Sequence, residues 1–252
     1  MSTVFLAELV KLLRSRVARL VTALLAVCVP LVAAGFVATA ESSGSSQLAV
    51  KVRPLVHGTG WNALTSTAGQ VLSVAGLLGI GFVVSWTFGR EFADGTIEPL
   101  LMSRPSRAEL ASAKLAAVLA WAAGTILGFA VVTLALGVVL QPAGSPWPGL
   151  GRAIVGAALT ALLALPFGWV ATLGRSALAG VGAVIGVIVV TQILTVLGAG
   201  AWFPYAAPSL WQGMGGLDIT VSPVQLLLAL PVAAAGWAAT ALWWQHTELT
   251  SP

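Results

Sequence analysis

Charge is what this sequence has least of. Asp, Glu, Lys and Arg make up 8% of its 252 residues, against 58% hydrophobic ones, whereas soluble domains carry about 25% charged residues. Such a chain cannot solvate a globular surface, so lipid must cover most of it. The class left is a polytopic membrane protein with one membrane domain and no sizeable soluble one. Its one cysteine, Cys28, excludes an internal disulfide and a multi-cysteine metal site, and inside an apolar run it reads as a small hydrophobe. The two histidines, His57 and His246, stand outside the apolar runs, and no Asp or Glu lies within them. With no intramembrane base or ligand, no catalytic or metal residue is assigned, and a membrane hydrolase or zinc protease is set aside. The same lack argues for an external energy source rather than proton coupling, although Na⁺ sites built from carbonyls and hydroxyls stay open. A pI near 10 could suggest nucleic acid. That reading is rejected, because the basic residues cluster at the ends of apolar runs, as topology signals do.

What is abundant is long apolar sequence. Six runs reach the roughly 20 residues that a bilayer requires, at about 18–40, 69–89, 113–140, 153–174, 177–200 and 223–244. They are continuous rather than alternating, which argues against a strand barrel. The fold class is therefore an all-α polytopic membrane protein with six transmembrane helices. Six spans put both termini on one side. Lys11, Arg14, Arg16, Arg19, Arg90, Arg104, Arg107, Lys114 and Arg175 fall on that side, and only Lys51, Arg53 and Arg152 on the other, so both termini are expected to be cytoplasmic. The first run followed by Ala38-Thr39-Ala40 resembles a signal peptide, but it exceeds the usual 7–15-residue apolar core, which favours an uncleaved first span.

Residues 4–17 precede that span as an amphipathic helix. Leu6, Leu9, Val10, Leu13, Val17 and Leu20 share one face at helical spacing, and Glu8, Lys11, Ser15 and Arg19 the other. Such a helix suits the membrane interface, its basic face toward anionic headgroups. It reads equally as the protruding start of the first span.

One polar island breaks the middle of the chain. Residues 90–114 hold eight charges, Arg90, Glu91, Asp94, Glu98, Arg104, Arg107, Glu109 and Lys114, and are expected in water. Arg90 and Asp94 have pairing distance on a helix. Gly95 suits a helix C-terminus, Thr96 the N-cap of a short helix from Ile97, and Pro105 its end. Ser106 and Glu109 have capping-box spacing. A helix from Arg107 to Leu140 is about 50 Å long, so its first turns project beyond the hydrocarbon core. A solvated loop whose charges only fix topology is the alternative.

Glu91-x-x-x-Gly95-Thr96-Ile97-x-x-Leu100-Leu101-x-x-x-Pro105-x-Arg107, followed by Lys114, resembles the cytoplasmic loop of the ABC-transporter type-2 permease family. The six spans and an N-terminal helix carrying Glu8, Lys11 and Arg14 also fit. The resemblance implies a coupling segment over 90–107, with Glu91, Phe92, Asp94, Gly95, Thr96, Ile97, Leu100, Leu101, Arg104, Pro105 and Arg107 facing a cytoplasmic ATPase. It implies two permease copies, as a homodimer or heterodimer, two ATPase copies, export of a drug, antibiotic peptide or lipid-like substrate, and a bacterial cytoplasmic membrane. A phosphate-binding loop needs Gly-Lys-Ser/Thr, yet Lys11, Lys51 and Lys114 follow Val10, Val50 and Ala113. ATP and Mg are therefore expected on a separate chain, and this one is expected to bind no cofactor of its own. An ATP-independent carrier or channel, and a non-transporting scaffold or sensor partner, are the alternatives.

Within the spans, Thr191, Gln192 and Thr195 are the candidates for lining a pathway; helix–helix hydrogen bonding is the other role for such residues. Between the last two spans, Trp202, Phe203, Tyr205 and Trp211 stand among Pro204 and Pro208. They form either an interfacial aromatic belt or a short helix closing an outer gate.

Overall fold

The computed structural model describes residues 2–42, 47–95, 106–216 and 219–246. Among these residues the secondary structure is helical, with no strand. Six helices are long and apolar enough to cross a membrane: Arg16–Glu41, Gly60–Ala93, Arg107–Leu140, Trp147–Leu173, Ala177–Val196 and Pro223–His246. They are taken below as spans one to six, and each corresponds to one of the expected runs. Spans two and three have 34 residues each, about 51 Å at 1.5 Å per residue, so both outreach a hydrocarbon core of about 30 Å.

Local chemistry sets the ends. Ser106 caps span three through a complete capping box with Glu109. Span two stops at Gly95, whose φ of 64° is open to glycine and strained for other residues. The N-terminal helix runs over Ser2–Arg14 and does not continue smoothly into span one. Ser15 adopts an extended conformation and its hydroxyl accepts from the Ala18 N–H, starting a new helix at Arg16. Span one contains a π turn over Leu24–Cys28, in which the Val29 N–H bonds to Leu24 O. Pro30, one residue further, has no N–H to offer Ala26, which removes one competing α-type bond. Span four breaks at Ala164–Leu165, ahead of Pro166.

Span two is the central element and packs against spans four, five and one. Its Val83, Val84 and Phe88 are fully buried. Tryptophans fasten the spans to one another. The indole of Trp244, on span six, is buried, meets Phe88 edge-on at 5.6 Å and donates to the Thr172 hydroxyl at 3.1 Å. Trp121 donates to Thr22, and Trp237 to Ser112. A buried indole combines large apolar area with one satisfied donor. Span five is different, presenting Leu178, Ile185, Val189, Ile193 and Val196 outward.

Trp244→Ala is expected to lower unfolding stability by about 3–5 kcal/mol, and Leu178→Ala, 80% exposed, by less than about 0.5 kcal/mol. Thermal unfolding of the two variants in one detergent checks the contrast.

Candidate functional site

The charges of the polar island do not all stand in water. Glu91 closes span two at 1% exposure, and Lys114, two turns into span three, is 0% exposed. Lys114 Nζ donates to Glu91 Oε1 at 2.6 Å and to Glu8 Oε2 at 2.8 Å. Lys11 Nζ reaches the same Glu91 oxygen at 3.1 Å and lies 3.6 Å from Glu8. Three segments distant in sequence are thereby joined at one point: the N-terminal helix, the end of span two and the start of span three. Burial makes Lys114, Glu91 and Glu8 depend on their partners, since a lone ion in low dielectric is strongly disfavoured, while Lys11 stays part-exposed.

The arrangement revises the expected polar face of the N-terminal helix. Glu8 turns inward, 7% exposed, while Leu6, Val10 and Leu13 are exposed. The helix lies with its carboxylate toward the bundle because Lys114 offers a partner there. The Arg90 side chain does not pair with Asp94. It stacks over the Trp86 ring at 4.3 Å, and its Nε is 3.7 Å from Glu91.

Of the expected coupling residues, Glu91 and Phe92 are buried at the end of span two, Asp94 and Gly95 follow its last turn, and Arg107 opens span three. Thr96, Ile97, Leu100, Leu101, Arg104 and Pro105 lie outside the described residues. Arg14 ends the N-terminal helix and is exposed.

At the opposite end, a short helix, Ala207–Trp211, sits over spans two and four. Gln212, just after it, is 2% exposed, and its amide donates to the Arg152 carbonyl of span four at 2.7 Å. Two glycines make the slot. A Cβ on Gly69 would come within 2.6 Å of Gln212 Oε1, and one on Gly156 would meet its Nε2. Arg152 lies over the Trp211 ring at 5.7 Å. Trp202 is 67% exposed, whereas Phe203 and Tyr205 are in contact at 5.6 Å and Tyr205 reaches Phe167 at 6.0 Å. The four aromatics are therefore not one surface: Trp202 faces out, and Tyr205 turns into the bundle.

Beneath this cover is a small cavity of about 30 Å³, lined by Ser73, Thr160, Thr191, Gln192, Tyr205 and Ser209, among others. Thr195 is not part of its lining. The hydroxyls of Ser73, Thr160, Thr191 and Ser209 donate to carbonyls of their own helices, so toward the cavity they offer acceptors. Burial pushes the Tyr205 phenol up to about 12, because the ionised form would lose its hydration. No group of three or more His, Cys, Asp or Glu positioned to hold a metal occurs among the described residues.

Sequence reading missed the pairing of Lys114 with Glu8 and Glu91, and it missed Gln212. The first had a signal: Lys114 is the last charge before a long uncharged run, where solvation is failing. For Gln212 nothing in the local pattern marked the residue.

These features define a helical, multi-pass membrane protein in which the ion pairs around Lys114 sit at one end of the spans. The chain belongs to the ABC-2 transporters: the family described as "ABC-2 family transporter protein" matches residues 4–198. A search of curated proteins found no match. Membership makes this chain a membrane component of an ABC transporter, a class that works with an ATPase.

Lys114→Met is expected to cost about 3 kcal/mol of stability, since it removes the one fully buried cation and leaves two buried carboxylates sharing the part-exposed Lys11. Lys114→Met with Glu91→Gln leaves Glu8 facing Lys11 and should recover part of that loss; thermal unfolding of both decides. A second check uses Tyr205, the chain's one tyrosine. Its stabilising contribution is fully present below the ordinary pKa of 10.0 and is lost as pH rises through about 12. Phenolate absorbance should therefore stay flat near pH 10 in the folded protein and rise there once it is denatured.

Proposed function

We propose that this chain is the membrane-spanning permease subunit of an ATP-driven exporter. It lies in a bacterial cytoplasmic membrane with both termini inside. Two copies, identical or mixed, would work with two cytoplasmic ATPase subunits that hold ATP and Mg, and residues 90–107 would be the segment those subunits push. The substrate class is a drug, an antibiotic peptide or a lipid-like molecule. The observation that carries the reading is the buried contact of Lys114 with Glu91 and Glu8. The proposed coupling segment leaves span two just after Glu91 and enters span three seven residues before Lys114. A displacement applied between them moves both spans and the N-terminal helix together. Alternating access requires such a rigid-body transfer between two packed arrangements.

Under this reading Glu91 acts within the chain, fastening the two spans, and the ATPase contact falls to the residues that follow it. At the opposite end, the Tyr205 and Gln212 contacts close the acceptor-lined cavity and form the outer gate.

Affinity purification of the tagged chain from its native membrane should bring down a P-loop ATPase. Gly95→Val, which strains a left-handed position, should weaken that retention and lower ATP-dependent transport. Absence of any ATPase, together with transport that survives Gly95→Val and Glu91→Gln, would overturn the proposal.

A further inference from the structure

Where the N-terminal helix bends at Ser15, an open cleft of about 660 Å³ lies against the end of span two. Lys11, Arg14, Arg16 and Arg90 line it, together with Trp86. Lys11 is engaged by Glu91 and Glu8, and Arg90 lies 3.7 Å from Glu91. Arg14 and Arg16 have no carboxylate within ion-pair distance among the described residues, so the cleft carries surplus positive charge. Arg19, outside the cleft lining, braces the bend by donating to the Ser15 and Arg14 carbonyls.

A second, apolar groove of about 610 Å³ continues from this cleft between spans one and two. Val17 lines both, so the two adjoin at this residue. Leu24, Cys28 and Val32 form one wall, and Ala75, Leu78 and Phe82 the other. From Val71 to Phe82 the groove follows about 17 Å of helix at 1.5 Å per residue. Half of a hydrocarbon core of about 30 Å is about 15 Å, so the groove is one leaflet deep.

We propose that cleft and groove together bind one anionic phospholipid. Its phosphate sits among Arg14, Arg16 and Arg90, and one acyl chain runs down the groove past Cys28. Guanidinium groups suit a phosphate because their planar N–H forks match its oxygens. The Trp86 indole, under Arg90, stands at the polar–apolar boundary that tryptophan favours. A soluble phosphate would use the cleft and leave the groove unfilled. A second copy of this chain, docked symmetrically, would bring the same cations against themselves. A phospholipid satisfies both halves of the surface at once, and the site does not depend on ATP.

Cys28 is exposed and is the chain's single cysteine, so it reports on the groove without mutation. In a non-ionic detergent, phosphatidylglycerol should slow its reaction with pyrene maleimide at least tenfold relative to phosphatidylcholine. Glycerol phosphate should give no protection. Arg14→Gln with Arg16→Gln should abolish the difference between the two lipids. Ala75→Phe fills the groove and keeps the cations; it should lose the phosphatidylglycerol adduct that native mass spectrometry finds on the parent. Equal protection by both lipids, or protection unchanged in the double variant, would overturn the site. So would protection by glycerol phosphate, or a bismaleimide that joins Cys28 of two copies equally well with and without lipid.

Discussion

Lys114 is the constraint on which the basic end of this molecule depends. Its ammonium is out of water, so the two carboxylates beside it must come with it. Each is supplied by a different segment: Glu8 by the N-terminal helix and Glu91 by the end of span two. The N-terminal helix takes its orientation from that requirement. Glu8 has to face inward, and Leu6, Val10 and Leu13 then face outward, toward lipid in a membrane. A helix that periodicity alone describes as having a polar face for water is turned by one buried cation. The extended Ser15 and its cap on the Ala18 N–H make the bend that separates this helix from span one.

Much of the architecture was legible in the residues. Span positions follow from apolar length, and the start of span three from the Ser106 and Glu109 spacing. Gly95 marks the end of span two because its conformation excludes most other residues. The ion cluster was not legible, since Glu8 and Lys114 are 106 residues apart and a run of charges reads locally as a solvated surface. Their shared burial arises only when two overlong spans and the N-terminal helix are packed together. The Gln212 contact was hidden for a similar reason. It depends on two glycines, Gly69 and Gly156, lying opposite each other on different spans, and small residues are too common in such spans to single out.

The two ends of the bundle are held by different chemistry. At the basic end, ions bind ions in a largely buried setting, and removal of one member unbalances the charge of the others. At the far end, no ion pair is among the contacts described: they are one amide hydrogen bond from Gln212, the Arg152 cation over the Trp211 ring, and aromatic packing at Tyr205. Thr67 Oγ1, Gln70 Nε2 and Gln212 Oε1 are buried there without a hydrogen-bond partner among the described residues. A neutral hydrogen bond contributes about 1 kcal/mol net, whereas removing one partner from a buried ion pair costs about 3–5 kcal/mol, so single contacts at this end are lost more cheaply than those of the ion cluster.

That asymmetry suits the proposed exporter. A transporter driven from one end needs a stiff input and a yielding output. If the input were soft, displacement of residues 90–107 would dissipate in bending the ends of spans two and three. If the output were as tightly paired as Lys114, the same displacement could not separate the short helix Ala207–Trp211 from spans two and four. Span two is the natural transmitter between them. It carries Glu91 at one end and Gly69 near the other, and packs along spans one, four and five between. The groove between spans one and two lies along this transmitter, immediately below the ion cluster. A lipid seated there fills the side of span two that the protein leaves open. Its headgroup would also neutralise the surplus cations around Ser15, so that lipid composition would bear on how firmly the N-terminal helix holds the input end.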